Sequence, residues 1–231
     1  MKKWIGVFGL TTMALTQFSC SSGSESNINN QSVEEAVVET KPSEEVTAIE
    51  STTVLNANLA TESEFVEAGI SDTVIQVIIE NRPFLTVLEL IQQLGLKEQN
   101  YGILQKVFVP MNLNTTAEIE FQLIPGVGKK MAHEFEEYRP YKSIKQFRKE
   151  IGKYVSKEEV ARYENFVFVP IELNSSSEED ILSLPGVGKK MAHEFLEYRP
   201  YKNMTQFRKE IGKYVDEKEI KRLERLVEIK E

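Results

Sequence analysis

One cysteine, two histidines and one tryptophan in 231 residues leave little material for several kinds of chemistry. A single thiol, Cys20, forms no disulfide framework and no thiolate metal site. His133 and His193 each fall about two residues off an apolar helical stripe, on the exposed side, and no second ligand is expected one turn further on. Neither metal binding nor acid–base catalysis is therefore expected of them. No Walker-type loop and no nucleophile motif is present, so the expectation is a binding protein without cofactor, metal or enzymatic activity. The apolar run from Trp4 to Phe18 is too short to cross a bilayer as a helix. Positive charge is scarce as well: the formal net charge is −8, at first sight an unfavourable sum for a nucleic-acid ligand.

The distribution of that charge matters more than its total. The acidity is concentrated in residues 21–54 and 55–112, and the remainder is close to neutral. Hydrophobic residues at 41% and aromatics at 9% suffice for real cores. At the N-terminus, Met1-Lys2-Lys3 followed by the Trp4–Phe18 run reads as a secretory signal over residues 1–19. Gln17-Phe18-Ser19-Cys20 resembles a bacterial lipobox, which implies that Cys20 is acylated and becomes the first residue of the mature chain. Two acyl chains on one residue give stable anchoring, so the resemblance places the protein in the cell envelope, lipid-anchored to a bacterial membrane and facing the periplasm. Residues 20–53 are polar, acidic and free of aromatics, the composition of a disordered linker that acts as a spacer.

Internal repetition dominates the rest. Residues 113–171 align with 173–231 at an offset of 60 without a gap: Pro125 to Phe135 recurs as Pro185 to Phe195, and Gln146 to Val155 as Gln206 to Val215. A third, degenerate copy occupies about 55–110, with landmarks Asn58, Glu64-Phe65, Gly69-Ile70, Arg82-Pro83-Phe84 and Val107-Phe108-Val109-Pro110. It has Ala68-Gly69-Ile70-Ser71 where the others have Pro-Gly-Val-Gly, so a missing hairpin and a structural role are expected there. The domains are accordingly 54–112, 113–172 and 173–231.

Within an intact copy the spacing predicts a helix over Glu118–Ile124, broken by Pro125-Gly126-Val127-Gly128. A second follows over Lys129–Tyr138, with Met131, Phe135 and Tyr138 on one stripe. Arg139-Pro140 ends it, because the residue before a proline resists helical angles. Ser143 with Gln146 and Ser156 with Glu159 read as capping boxes opening a third and a fourth helix; Gly152 stops the third. Phe166–Ile171 is extended. The fold class is mainly α: three tandem (helix-hairpin-helix)2 units of about 60 residues, the first degenerate, with each unit's second hairpin at Ile151-Gly152-Lys153 or its equivalent.

The first hairpin carries the binding chemistry. Gly126 and Gly128 are expected to take positive backbone angles and to leave the amides unshielded, and Val127 to turn inward as an anchor. A helix begins directly afterwards, so free amides and the positive end of its dipole face outward together, an arrangement suited to a phosphate oxygen. Lys129 and Lys130 add charge, and Ala132 lets the two helices approach. Such contacts position a duplex without reading its bases. Lys142, Arg148, Lys149 and Lys153, with Lys202, Arg208, Lys209 and Lys213, are candidates for secondary phosphate contacts, although solvated helix faces account for any one of them. Tyr138 and Tyr141 are expected in the core.

Leu-x-x-Pro-Gly-Val-Gly-Lys-Lys-x-Ala, preceded by Leu113-Asn114 or Leu173-Asn174 and followed by Tyr-Arg-Pro-Tyr-Lys, resembles the ComEA-type helix-hairpin-helix repeat. In that family a membrane-tethered or periplasmic domain binds double-stranded DNA during uptake by competent bacteria. The resemblance implies phosphate contacts from the amides of Gly126, Val127, Gly128, Lys129 and Lys130, and of Gly186, Val187, Gly188, Lys189 and Lys190. The hairpin is also similar to that of base-excision glycosylases, in which a catalytic lysine stands where Lys130 and Lys190 fall; that chemistry needs a carboxylate placed by a larger fold. The expected partners are non-specific duplex DNA and, through Cys20, a membrane. The alternative is a scaffold whose helix pairs contact an envelope protein.

Overall fold

The computed structural model describes residues 54–230; the candidate signal, the linker and Cys20 lie outside the described residues. Among the described residues about half are helical, with little strand, and no helix is long and apolar enough to cross a membrane.

Three segments follow one another, each opened and closed by a two-residue strand. The first runs β1 (Leu55–Asn56), α1 (Glu62–Glu67), α2 (Asp72–Glu80), α3 (Val87–Gln93), a 3-10 helix (Glu98–Gln105) and β2 (Val107–Phe108). The second runs β3 (Met111–Asn112), α4 (Glu118–Phe121), α5 (Lys129–Glu137), α6 (Ile144–Ile151), α7 (Lys157–Tyr163) and β4 (Val167–Phe168). The third has β5 (Ile171–Glu172), α8 (Glu178–Leu182), α9 (Lys189–Glu197), α10 (Met204–Ile211), α11 (Glu217–Glu224) and β6 (Val227–Glu228). The opening strand of each segment pairs in parallel with its closing strand, in the registers Leu55↔Val107, Met111↔Val167 and Ile171↔Val227. The extended reading of Phe166–Ile171 thus resolves into β4 and the start of β5, joined through Val169-Pro170.

Several local expectations need correction. The helix expected over Glu118–Ile124 stops at Phe121 and continues as a turn. Ser143 Oγ and Ser156 Oγ do accept from the Gln146 and Glu159 amides, each at 3.3 Å. The reciprocal half of each capping box is absent: Gln146 Oε1 accepts from Lys142 N–H at 2.9 Å, and the Glu159 carboxylate is taken by Arg162. Complete boxes form elsewhere, at Thr61 with Glu64 and at Ser177 with Asp180. α6 does end at Ile151 with Gly152 as its C-cap, as expected, but in right-handed geometry, φ −61°, and not as a left-handed stop. A Cβ there would stand 2.7 Å from the Arg148 carbonyl oxygen, and absence of bulk is what the position requires.

Packing explains why the helices hold. In the second segment Phe135 receives Phe121, Phe147 and Tyr163 edge-on at 5.3, 5.3 and 5.4 Å, geometry that favours the ring quadrupoles beyond the area buried. Ile181 and Leu223 replace two of these rings in the third segment, where Phe195 still meets Phe207 at 5.3 Å. Ala132 is fully buried, as close helix approach demands, and so is Tyr141 at 2% exposure; Tyr138 is only half-buried, its hydroxyl 2.7 Å from that of Tyr154.

The three segments also share one polar clasp. Asn58, Asn114 and Asn174 donate through Nδ2 to the carbonyls of Phe84, Tyr141 and Tyr201, and accept the N–H of the same residue through Oδ1. Arg82, Arg139 and Arg199, each preceding a proline, reach back to carbonyls of the loop after the opening strand, at Ala60, Thr116 and Ser176. Between segments, Phe108 meets Phe166 edge-on at 4.9 Å, Lys145 pairs with Glu179 at 2.7 Å, and Arg225 donates to the Pro110 carbonyl while lying over the Phe168 ring.

Candidate nucleic-acid interface

The hairpins between α4 and α5 and between α8 and α9 are built alike. Gly126 and Gly186 take φ +81° and +74°, angles that strain any residue with a Cβ. Gly128 and Gly188 do not: at φ −89° and −87° they are ordinary N-caps, contrary to the expectation of two left-handed glycines. Their lack of a side chain matters differently, because a Cβ at either would meet nothing within 4 Å. Both therefore present bare backbone to open space at the start of a nine-residue helix.

The amides divide into used and unused. Val127 and Val187, both 5% exposed, anchor the turn as expected. Their N–H groups, however, donate to the Ile124 and Leu184 carbonyls at 2.9 and 3.1 Å, which removes them from the set of phosphate contacts. Lys129 and Lys130 open α5, so their amides have no intrahelical acceptor, and the same holds for Lys189 and Lys190 in α9. Gly126, Gly128, Lys129 and Lys130, like Gly186, Gly188, Lys189 and Lys190, are exposed. Among the described residues none of these four lysines has a carboxylate within ion-pair distance.

The second hairpin of each unit differs on this point. Arg148 holds Glu164 through both ends of its guanidinium at 2.7 Å. Lys153 pairs with Glu150, as Lys213 does with Glu210 and Arg208 with Glu224. Lys149 stands 3.8 Å from Glu150. Most of the secondary candidates are thus neutralised within the fold, while Lys142 and Lys202 lie exposed. His133 Nδ1 lies 3.2 Å from Glu118, which holds the imidazole pKa above its ordinary value, mainly through their hydrogen bond. His193 has Glu197 one turn on at 3.4 Å, a partner the sequence reading did not count.

Residues 172–198 match the helix-hairpin-helix motif. The matched span runs from the last residue of β5 through α8 and the glycine hairpin to the end of α9. Among curated proteins and among solved structures, nothing matches the chain. Such motifs commonly bind DNA, and the exposed amides and lysines here are compatible with a nucleic-acid partner.

Two features escaped the sequence reading. The first segment has a left-handed glycine turn where a hairpin was expected to be missing: Gly69 takes φ +69°, Ile70 is buried where Val127 is although its N–H donates to Phe65, and Ser71 stands at the start of α2 without a side-chain cap bond. Each hairpin is also met by a cation from the end of its own segment. Lys106 Nζ donates to the Ala68 carbonyl at 2.9 Å and Arg222 Nη1 to that of Pro185 at 2.6 Å. Arg162 Nη2 lies 3.2 Å from where a Gly126 Cβ would stand. Arg162 and Arg222 recur at the 60-residue offset, a signal visible in the sequence.

Proposed function

We propose that this chain is a lipid-anchored, sequence-independent double-stranded-DNA-binding protein of the bacterial cell envelope, acting in DNA uptake and not as an enzyme. In this reading three tandem (helix-hairpin-helix)2 units are carried past a signal peptide and an acidic spacer, with Cys20 as the acylated residue. The observation that carries the DNA reading is the exposed Gly-x-Gly-Lys-Lys turn, whose second glycine, Gly128 or Gly188, faces open space and whose helix-start amides lack acceptors. A phosphate diester supplies the missing acceptors and the counter-charge of unpaired lysines at once. The contacts are then backbone amides of the Gly-x-Gly-Lys-Lys turn, those of Gly126, Gly128, Lys129 and Lys130 in the first intact hairpin, without base readout.

The test is titration of the full chain with labelled duplexes of unrelated sequence at rising salt. Similar affinities that fall steeply with salt support the reading; no binding at low salt overturns it. Separately, mass spectrometry of the N-terminal peptide should find acyl groups on Cys20, and Cys20→Ser should move the protein out of the membrane fraction.

A further inference from the structure

The two intact hairpins are identical from Pro125 to Phe135 and from Pro185 to Phe195, yet their surroundings differ. At Gly126 the position of a Cβ is approached within 4 Å by the Arg162 guanidinium. At Gly186 the same position is occupied by the side chain of Leu59 from the first segment, with Cδ1 and Cδ2 at 2.7 and 2.9 Å and Arg222 Nη2 at 3.1 Å. The side chain of Arg222 is 4% exposed, whereas that of Arg162 retains 35%. Leu59 stands three residues ahead of α1, whose Glu62, Glu64 and Glu67 are all exposed. Residues 54–110 carry seven carboxylates against three lysines and arginines, the middle segment 111–170 nine against ten.

We infer that the two hairpins have different occupants: the 185–190 hairpin is the docking point of the acidic first segment, and the 125–130 hairpin is the one open to a phosphate diester. The inference rests on the phosphate-binding reading above and adds a division of roles within it. Leu59, itself still 39% exposed, lies against the space that the glycine leaves free, and the acidic segment it brings along lowers the potential a duplex would meet at Lys189 and Lys190. The glycine–leucine contact is selective, because any Cβ at residue 186 would displace Leu59 or Arg222. The first segment then acts as a resident competitor for one of two otherwise equal sites.

The experiment compares three variants of the full chain by duplex binding at low salt. All the lysines exchanged are exposed, so folding is preserved, and circular dichroism checks it. The double reversal Lys129→Glu with Lys130→Glu should weaken binding by tenfold or more, whereas Lys189→Glu with Lys190→Glu should cost less than about threefold, as expected for charges outside the contact. Adding Leu59→Ser should make the second reversal cost about as much as the first. Equal losses from the two reversals in the otherwise unchanged chain, or no effect of Leu59→Ser, would overturn the division of roles and leave phosphate binding intact. If the unchanged chain binds no duplex, the phosphate reading fails and the inference goes with it.

Discussion

Asn114 and Tyr141 are joined at both ends of one amide: Asn114 Nδ2 donates to the Tyr141 carbonyl at 2.9 Å, and the Tyr141 N–H donates to Oδ1 at 2.7 Å. The pair spans 27 residues and ties the loop after β3 to the chain leaving α5. Asn114→Ala strands a part-buried donor and acceptor together. Leaving such groups unpaired costs about 1–3 kcal/mol, so a loss of that order is expected in urea unfolding. The equivalents Asn58 and Asn174 make the same clasp, and their alanine variants should behave alike. A neutral Asn114→Ala would remove the clasp from the account of the fold.

Gly128 separates binding from stability. Its φ of −89° suits any residue, a Cβ there meets open space, and its helix position is an N-cap. Serine is a slightly better N-cap than glycine, and the equivalent position before α2 already accepts one, Ser71, in extended geometry. Gly128→Ser should therefore leave the melting temperature unchanged or slightly raised. The added side chain projects beside the amides of Lys129 and Lys130, so duplex affinity should fall, by about tenfold if it costs roughly 1.4 kcal/mol. Gly126→Ala, at φ +81°, should instead lose stability by about 1–2 kcal/mol from left-handed strain. Unchanged DNA binding by a folded Gly128→Ser would argue against the hairpin as the contact.

His133 and Glu118 make a pH-dependent surface pair. The His133 pKa is raised above 6.5, first by its hydrogen bond to Glu118, and Glu118 is held below 4.5, first by the same bond. For a raised histidine the stabilisation is complete below 6.5 and is lost as pH climbs through the folded value; for a lowered carboxylate it is present above 4.5 and lost as pH falls through the folded value. The pair thus contributes most between those two ordinary values. Nuclear magnetic resonance titration of His133 should show a midpoint above 6.5 that drops toward it in Glu118→Gln. A midpoint that ignores the substitution would place the cause elsewhere.

How far these features could be read from residues alone depends on the distance over which the cause acts. The left-handed turn at Gly126 and Gly186 and the Ser143 cap are local patterns that the structure reproduces, whereas Gly128 and Gly188 take ordinary N-cap angles. The donation of Val127 N–H to Ile124 is equally local, but it depends on the turn type adopted, which Pro-Gly-Val-Gly does not announce by itself. The hairpin at Gly69 was obscured because Ala68 and Ser71 replace its proline and second glycine, neither of which the backbone there requires. Leu59 against Gly186 joins positions 127 residues apart, and no periodicity encodes that contact. The 3-10 helix Glu98–Gln105, standing where the other segments have a fourth α-helix, likewise follows from a degenerate stretch with little helical stripe.

The number of phosphates engaged should be readable from salt dependence. Each phosphate neutralised on duplex DNA contributes about −0.9 to the slope of log affinity against log salt. Backbone amides add hydrogen bonds without adding to the neutralising charge, and Arg148, Lys153, Arg208 and Lys213 are already paired with carboxylates. With Lys129 and Lys130 as the engaged cations, the slope should be about −2; with Lys189 and Lys190 engaged as well it approaches −4. The unchanged chain should show the shallower slope, and Leu59→Ser should steepen it. Lys129→Gln should flatten it by about one, at every duplex sequence alike. A steep slope insensitive to Lys129 would mean that the duplex lies on another face of the protein, one whose cations the hairpin does not supply.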